Sequence, residues 1–223
     1  GASWTITVSL KSGPGLSRGT NLTVTVGLNY TNAHGAIMPD RVAASTITVI
    51  APAIVNASLG LGRTLVTPGD IIRALLNFTN AGDEPALSLV VTVNLDSSLA
   101  FVNASVAATV AGGAILFPMS NVGLTTIHIV FNLRVSRNAA DAAVLAVPGF
   151  LVYTDRVGNP LPLVALPAPK ATVAAPVLSL AATPGSPTVE AGMTYLTHVV
   201  AANTGTGVAK DVWLNVTLPT ALL

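Results

Sequence analysis

The sequence predicts an all-β chain with sandwich architecture. Three features of its 223 residues carry that expectation. Apolar residues alternate with period two, turn-forming residues cluster between the alternating runs, and the pattern repeats at a spacing of 123 residues.

The alternation is read run by run. In "WTITVSLK", Trp4, Ile6, Val8 and Leu10 point to one side, with Thr5, Thr7 and Ser9 opposite. In "LTVTVGLNYT" the inward set is Leu22, Val24, Val26, Leu28 and Tyr30. "DIIRALLNFT" places Ile72, Ala74, Leu76 and Phe78 inside and Arg73 and Asn77 outside. "LSLVVTVNL" places Leu87, Leu89, Val91, Val93 and Leu95 inside. Val, Ile and Thr dominate these runs, as a pleated, half-buried surface favours. Between them lie "KSGPG", "TPGD", "NAGDEP", "RVGNP" and "TPGSP", rich in the residues that break strands and form turns. "SRNAADAAVLA" reads equally as a short helix or a loop.

The repeat is anchored by "YTNAHGAIMP" at 30–39 and "YTDRVGNPLP" at 153–162, where Tyr30, Gly35 and Pro39 match Tyr153, Gly158 and Pro162 at the offset of 123. Upstream, Ile6, Val8 and Leu10 fall on Ile129, Phe131 and Leu133, and Leu22 and Val24 on Leu145 and Val147. Downstream the register slips by one, so Pro52 meets Pro176. It then recovers: Gly69 meets Gly192, Asn80 meets Asn203, Gly82 meets Gly205 and Leu95 meets Leu218. A unit of this length is the size of one sandwich domain. The expected organisation is a complete repeat at 53–175, the C-terminal half of a preceding repeat at 1–52, and the N-terminal half of a following one at 176–223. The chain then reads as a window onto a tandem array, and "LPAPKATVAAP" at 166–176 as a stiff joint carrying Pro167, Pro169 and Pro176. Half a sandwich exposes an apolar face and unpaired edges. A longer polypeptide, mutual packing of the two halves, or strand complementation between copies would each cover them.

Composition narrows the function classes. Charged residues are 9% of the chain and hydrophobic ones 51%, while aromatics are only 4%. The mean hydropathy of +0.69 invites a membrane reading. Yet the most apolar stretch, "SVAATVAGGAILFPM", is broken by a Gly pair and a Pro, well short of the roughly 20 residues of a spanning helix. A net charge of +1 without a basic run argues against a nucleic-acid partner. With no cysteine there are no disulfides, thiolate metal sites or cysteine nucleophiles.

"LVTPGDIIRALLNFTNAGDEPALSLVVTVNL" and "PTVEAGMTYLTHVVAANTGTGVAKDVWLNVTLP" resemble the repeat of prokaryotic surface proteins known as domain of unknown function number eleven. The matching residues are Pro68-Gly69-Asp70, Asn80-Ala81-Gly82 and Leu95 in one copy. In the other they are Ala191-Gly192, Asn203-Thr204-Gly205 and Leu218-Pro219. Asp96 stands where that pattern has Pro, and no Asp follows Gly192. The resemblance implies immunoglobulin-like sandwiches in tandem on a bacterial or archaeal cell surface, and no catalytic residues. Independently of it, Asn-x-Gly reads as a tight turn, because Asn tolerates and Gly prefers the left-handed backbone conformation.

The chemical signal is a set of Asn-x-Ser/Thr triplets at Asn21, Asn29, Asn56, Asn77, Asn103 and Asn215, candidate N-glycosylation sites. Asn21, Asn29, Asn77 and Asn215 fall on the outward side of the alternation. Sugar would also hydrate a surface with so few charges. His34, His128 and His198 have repeat counterparts Val157, Thr5 and Leu75, so no repeated metal site is expected. Asp70, Asp83 and Glu84 are a Ca²⁺ option through oxygen ligands. No cofactor is expected, and no Ser-His-Asp order, HExxH, Gly-rich phosphate loop or paired carboxylates are present. The expectation is a non-enzymatic structural subunit of an extracellular filament or surface-layer lattice. Its partners would be copies of itself or neighbouring repeats. The alternative is an adhesin stalk or ligand-binding surface module, for which Trp213 is the outward aromatic.

Overall fold

The structure, a computed structural model, describes residues 3, 5–13, 16 and 18–218. Sixteen strands and no helix are present among them. In chain order these are β1 (Asn21–Leu28), β2 (Arg41–Thr48), β3 (Ile54–Leu61), β4 (Leu65–Val66), β5 (Ile71–Asn80), β6 (Ala86–Asn94), β7 (Leu99–Ala104) and β8 (Thr109–Ala111). They continue with β9 (Ala114–Val122), β10 (Thr126–Val135), β11 (Val144–Ala146), β12 (Gly149–Tyr153), β13 (Val164–Leu166), β14 (Lys170–Val173), β15 (Leu178–Pro184) and β16 (Thr197–Asn203).

The centre is a β-sandwich. A four-stranded sheet β3-β5-β10-β7 faces a five-stranded sheet β13-β12-β6-β9-β8, and β11-β14-β4 forms a third, smaller sheet with a parallel β14–β4 pair. Alternation sets the core. Ile72, Ala74, Leu76 and Phe78 of β5 are all buried, as are Ile129, Phe131, Leu133 and Val135 of β10, which pairs with it. Leu89, Val91 and Val93 face them from β6, with Ile115 and Phe117 from β9. The Phe117 and Phe131 rings meet across the gap with centroids 5.4 Å apart and planes at 49°, a tilted contact that the ring quadrupoles favour. Val66, Leu145, Ala171 and Val173 of the third sheet join the same cluster, and every residue of that cluster lies between Ile54 and Ala175.

Two expectations need correction, Leu87 and the 166–176 joint, and two segments left open are now placed. Leu87 is 46% exposed and Ala86 is buried in its stead; in the facing strand Asn121 has φ 52°, which breaks the pleat there. The 166–176 stretch is no free joint, since β14 is sheet and Ala171, Val173, Ala174 and Ala175 are buried. Its prolines Pro167 and Pro169 stand where the chain crosses from the five-stranded to the three-stranded sheet, at a corner that needs no ladder N–H. Residues 136–143 of the helix-or-loop stretch form turns. The apolar "GGAILFPM" run is β9, entered through Gly112 and Gly113 at φ 57° and 78°, the two successive left-handed residues of a tight hairpin.

The largest difference concerns the ends. Residues 5–13 form no strand, and Ile6, Val8 and Leu10 are 85%, 66% and 66% exposed; Trp4 and Pro219 lie outside the described residues. The repeat counterpart of 5–13 is β10, which is held between β5 and β7, and 5–13 has neither neighbour. A lone strand has nowhere to place its backbone hydrogen bonds. Residues 209–217, counterparts of β6, are likewise unpaired. What does form at each end is a local hairpin: β1 pairs with β2, and β15 with β16. In β1, Leu22 and Val24 are half-buried as the alternation predicts, whereas Val26, Leu28 and Tyr30 are exposed.

Candidate functional site: two joints and two open faces

Asn56, Asn77 and Asn103 all lie on the four-stranded sheet. Asn56 sits exposed in a bulge of β3 at φ 53°. Asn103 is exposed on β7, its Oδ1 accepting from Asn132 Nδ2 at 2.7 Å. Asn77 is half-buried in the inner strand β5, with Oδ1 2.6 Å from His128 Nδ1 and Nδ2 donating to Ser58 Oγ at 3.4 Å. Asn21, Asn29 and Asn215 are exposed in the terminal pieces, and Asn21 Oδ1 accepts from the Thr48 hydroxyl.

The calcium option fails on geometry. Asp70 and Asp83 flank opposite ends of the ten-residue β5, about 30 Å apart at the rise of an extended strand. No cluster of three His, Cys, Asp or Glu occurs among the described residues. Asp70 instead closes its own turn by accepting from Thr67 N–H at 3.0 Å, and Asp83 pairs with Arg18.

The structure does bring together a set of residues that recurs at the repeat spacing. At the first joint, Arg18 clamps Asp83 through Nε to Oδ2 at 2.5 Å and Nη2 to Oδ1 at 2.7 Å. The counterparts of Arg18 and Asp83 are Asp141 and Thr206. These meet at the second joint, where the Thr206 hydroxyl donates to Asp141 Oδ1 at 2.5 Å and its N–H to Oδ2 at 3.0 Å. Ala175 N–H also donates to Asp141 Oδ1 at 2.8 Å. The backbone around each pair is the same. Gly19 N–H reaches Val49 O as Ala142 N–H reaches Val173 O, both at 2.9 Å, and Gly19 and Ala142 both take positive φ, 79° and 60°. The Asp83 carboxyl is held below its usual range first by the hydrogen bond from Arg18. That of Asp141 is lowered first by the Thr206 hydroxyl, then by the Ala175 N–H. Sequence reading missed both pairs, although the offset of 123 maps one onto the other.

The Asn-x-Gly motif belongs to these joints, for a reason other than the one expected. Neither Asn80, Gly82, Asn203 nor Gly205 has positive φ. Asn80 acts through its side chain: Oδ1 accepts from Ala53 N–H at 3.0 Å and Gly82 N–H at 3.1 Å, and Nδ2 donates to Glu84 O and Val122 O. Asn203 repeats the pattern with Val177 N–H, Gly205 N–H and Gly207 O. Glycine is needed for closeness, since a Cβ on Gly82 would come within 2.5 Å of Ala53 N, and one on Gly205 within 2.5 Å of Val177 N. A groove of about 660 Å³ lies at the first joint, lined by Leu16, Ile50, Ala51 and Glu84 among others. One of about 600 Å³ lies at the second, lined by Ala139, Ala174, Ala175 and Val208 among others.

Beyond the joints the terminal pieces carry core-phase side chains without a core. Val212, Leu214 and Val216 are 55%, 55% and 60% exposed, while their counterparts Leu89, Val91 and Val93 are fully buried. Leu178, Leu180, Val212, Trp213 and Leu214 line a groove of about 430 Å³ there, and Trp213 is 92% exposed.

No protein-family model matches the chain, so the resemblance to domain of unknown function number eleven rests on its turns and strands. No curated protein matches it either. Among solved structures, the chain is similar to a type I cohesin–dockerin complex of Clostridium thermocellum at 14% identity, over 52% of this chain and 98% of that one, with TM-score 0.42. It is similar to the third ScaC cohesin of Acetivibrio cellulolyticus in complex with the ScaB dockerin at 12% identity, over 52% and 98%, with TM-score 0.45. It is also similar to a non-cellulosomal cohesin of the hyperthermophilic archaeon Archaeoglobus fulgidus at 14% identity, over 53% and 91%, with TM-score 0.41.

Proposed function

We propose that this chain is a non-enzymatic structural subunit of a prokaryotic, extracellular assembly, a filament or surface lattice built from β-sandwich repeats in series. Its units are 1–52, 53–175 and 176–223, and N-glycans on exposed sequons hydrate its surface. The observation that carries the reading is the recurrence of the joint: the same backbone bonds, the same Asn-x-Gly close approach and the same pair of contacting positions appear twice, 123 residues apart. A joint that fixes consecutive units in one geometry makes a rod instead of beads on a flexible tether. The mechanism is mechanical, with force passing along backbone ladders and across these joints.

Electron microscopy of negatively stained surface material from the source cells tests the reading. Regular filaments or lattices containing this chain are expected, and isolated particles would refute it. Mass spectrometry of peptides holding Asn56, Asn103 and Asn215 tests the sugars; unmodified peptides throughout would remove them from the account. Trp213 supports a second reading, a ligand-binding surface module, because an exposed indole above an apolar groove is a platform for sugar rings or apolar ligands. Quenching of Trp fluorescence by oligosaccharides, lost in Trp213→Ala, would favour it.

A further inference from the structure

We infer that the outer face of the five-stranded sheet is a self-contact surface, on which the same face of a second copy packs about a two-fold axis. The contact is lateral to the series of repeats and so goes beyond the function proposed above. Every residue of the face belongs to the central unit.

Charge defines the face. Strands β13, β12, β6, β9 and β8 contain no Asp, Glu, Lys, Arg or His. No other sheet among the described residues shares this. The four-stranded sheet carries Arg73, His128 and Arg134, the three-stranded sheet Lys170, and the terminal hairpins Arg41 and His198. The outward residues form rows across the strands: Phe150, Thr92 and Leu116 make one row, Val152, Val90 and Pro118 the next. Val152 is 39% exposed, Pro118 is exposed, and the other four are half-buried. An antiparallel sheet with one face in water ordinarily turns polar residues to that side. At the repeat spacing the contrast sharpens, because Val152 and Thr92 correspond to Asn29 and Asn215, both sequons. The central unit's own sequons, Asn56, Asn77 and Asn103, all lie on the four-stranded sheet. With sugar on them, this face alone stays bare; that step rests on the proposed function and the others do not.

Three features select a second copy as the occupant. In a two-fold contact, residues near the axis meet their own equivalents, so a central charge would face a like charge. A face without charge of either sign meets that condition, whereas a foreign partner would tolerate charges matched to its own. A charge set against this sheet would also be buried unpaired. That excludes the four-stranded sheet of a neighbour, with Arg73, His128 and Arg134, as the surface it packs on. Secondly, β8 covers β9 only as far as Leu116, and Pro118 removes an N–H from the edge left open beyond it. An added strand is disfavoured there, and stacking of whole faces about 10 Å apart remains. Thirdly, the area suffices. Strands of nine, nine, five, three and three residues, at about 3.3 Å per residue and 4.8 Å per strand, cover roughly 460 Å². Two copies then bury about 1,000 Å², the least that a specific contact needs, so a dissociation constant of about 10 μM is expected.

Sedimentation velocity of the full chain, made in a host without N-glycosylation, tests the contact between about 1 and 200 μM. Reversible association is expected. Val90→Lys with Thr92→Lys sets cations against their own equivalents and should raise the dissociation constant at least about 30-fold. Leu75→Lys, on the outer face of the four-stranded sheet, should leave it unchanged. Both lysines of the first variant face water in a single copy, so its melting at about 1 μM should match the wild-type chain and separates a lost contact from a lost fold. Because the chain has no cysteine, spin labels supply a second reading. A label on Thr92→Cys should show pair distances under about 25 Å, and one on Leu75→Cys, behind both sandwiches, distances beyond about 30 Å. A chain monomeric at about 200 μM, association untouched by the two lysines, or equal label distances would overturn the inference. Filaments on the source cells beside such a result leave the proposed function standing. A face-dependent pair beside isolated particles on the cells removes the serial reading and keeps this contact.

Discussion

Asn80 offers the sharpest test of how the floor of the first joint is built. It is 2% exposed and is the one buried polar residue among those described, and all four of its side-chain bonds lie within the central unit, at the base of the first joint. Asn80→Ala removes four hydrogen bonds worth about 1 kcal/mol each, and leaves the Ala53 N–H and Val122 O with reduced access to water. The expected loss is about 3–4 kcal/mol, or about 10 °C in Tm for a unit of this size. Asn203→Ala removes the equivalent side chain where it is exposed and makes three bonds. Solvent replaces those partners, so the expected cost to the central unit's transition is under about 1 kcal/mol. Urea unfolding followed by far-ultraviolet circular dichroism measures both, with an unchanged m-value as the check that the unfolded states match. Equal losses for the two variants would refute the argument, because burial inside the central unit is what distinguishes Asn80 from Asn203.

Other consequences follow from the same geometry. Gly82→Ala drives a Cβ into the Ala51–Ala53 backbone and should cost more than 2 kcal/mol or so. Gly60→Ala, with nothing within 4 Å and no positive φ, should be neutral or slightly stabilising; both are read by thermal melting. The joints should loosen in acid. The Asp83 and Asp141 carboxyls are lowered from 3.8, so their contribution is present above that value and is lost as pH falls through the folded-state pKa. X-ray scattering should therefore report an unchanged profile from pH 7 to about 5, and a more flexible chain below about pH 4. Raising NaCl from 0.1 to 1 M should speed amide exchange around Gly19, beside the exposed Arg18–Asp83 pair, more than around Ala142, where Asp141 is held by neutral donors. Gly113→Val should destabilise the β8–β9 hairpin by about 1–2 kcal/mol, because Gly113 has φ 78°; loss of protection in β8 by hydrogen exchange checks it.

Much of the central sandwich was legible because its inner strands bury one face only. Ile72, Ala74, Leu76 and Phe78 sit at alternate positions of β5, and a register with one apolar side has one stable orientation. Leu87 was misplaced because the pleat breaks opposite it at Asn121, and backbone strain of that sort leaves no mark on hydropathy. The Asn-x-Gly turns were visible, but their purpose was not. A left-handed turn and a close backbone approach both select glycine, and only the folded backbone separates them. Arg18 and Asp141 escaped notice because each looks like an isolated surface charge. They become a site only when the repeat offset sets Arg18 on Asp141 and Asp83 on Thr206, which shows a position conserved in role while its charge changes sign. The six sequons were read directly, yet the half-burial of Asn77 in an inner strand depends on pairing with β3 and β10 and so lies outside any local pattern.

The ends of the chain show what decides whether an alternating segment becomes a strand. Residues 5–13 alternate as well as β10 does, and 209–217 as well as β6, but only the latter of each pair is sheet. By contrast β1 with β2, and β15 with β16, form because each finds its partner across a loop of about a dozen residues, a closure of low entropic cost. Pairings that need a distant partner go unmade when the partner is not at hand, and the apolar residues stay in water. That state is unfavourable for each exposed side chain by about 1.5–3 kcal/mol relative to burial. Any surface able to offer the missing edges would therefore convert two further segments into strands. Amide I absorbance should register that conversion as a gain in sheet content that rises with protein concentration in the intact chain and is absent in Leu214→Asp.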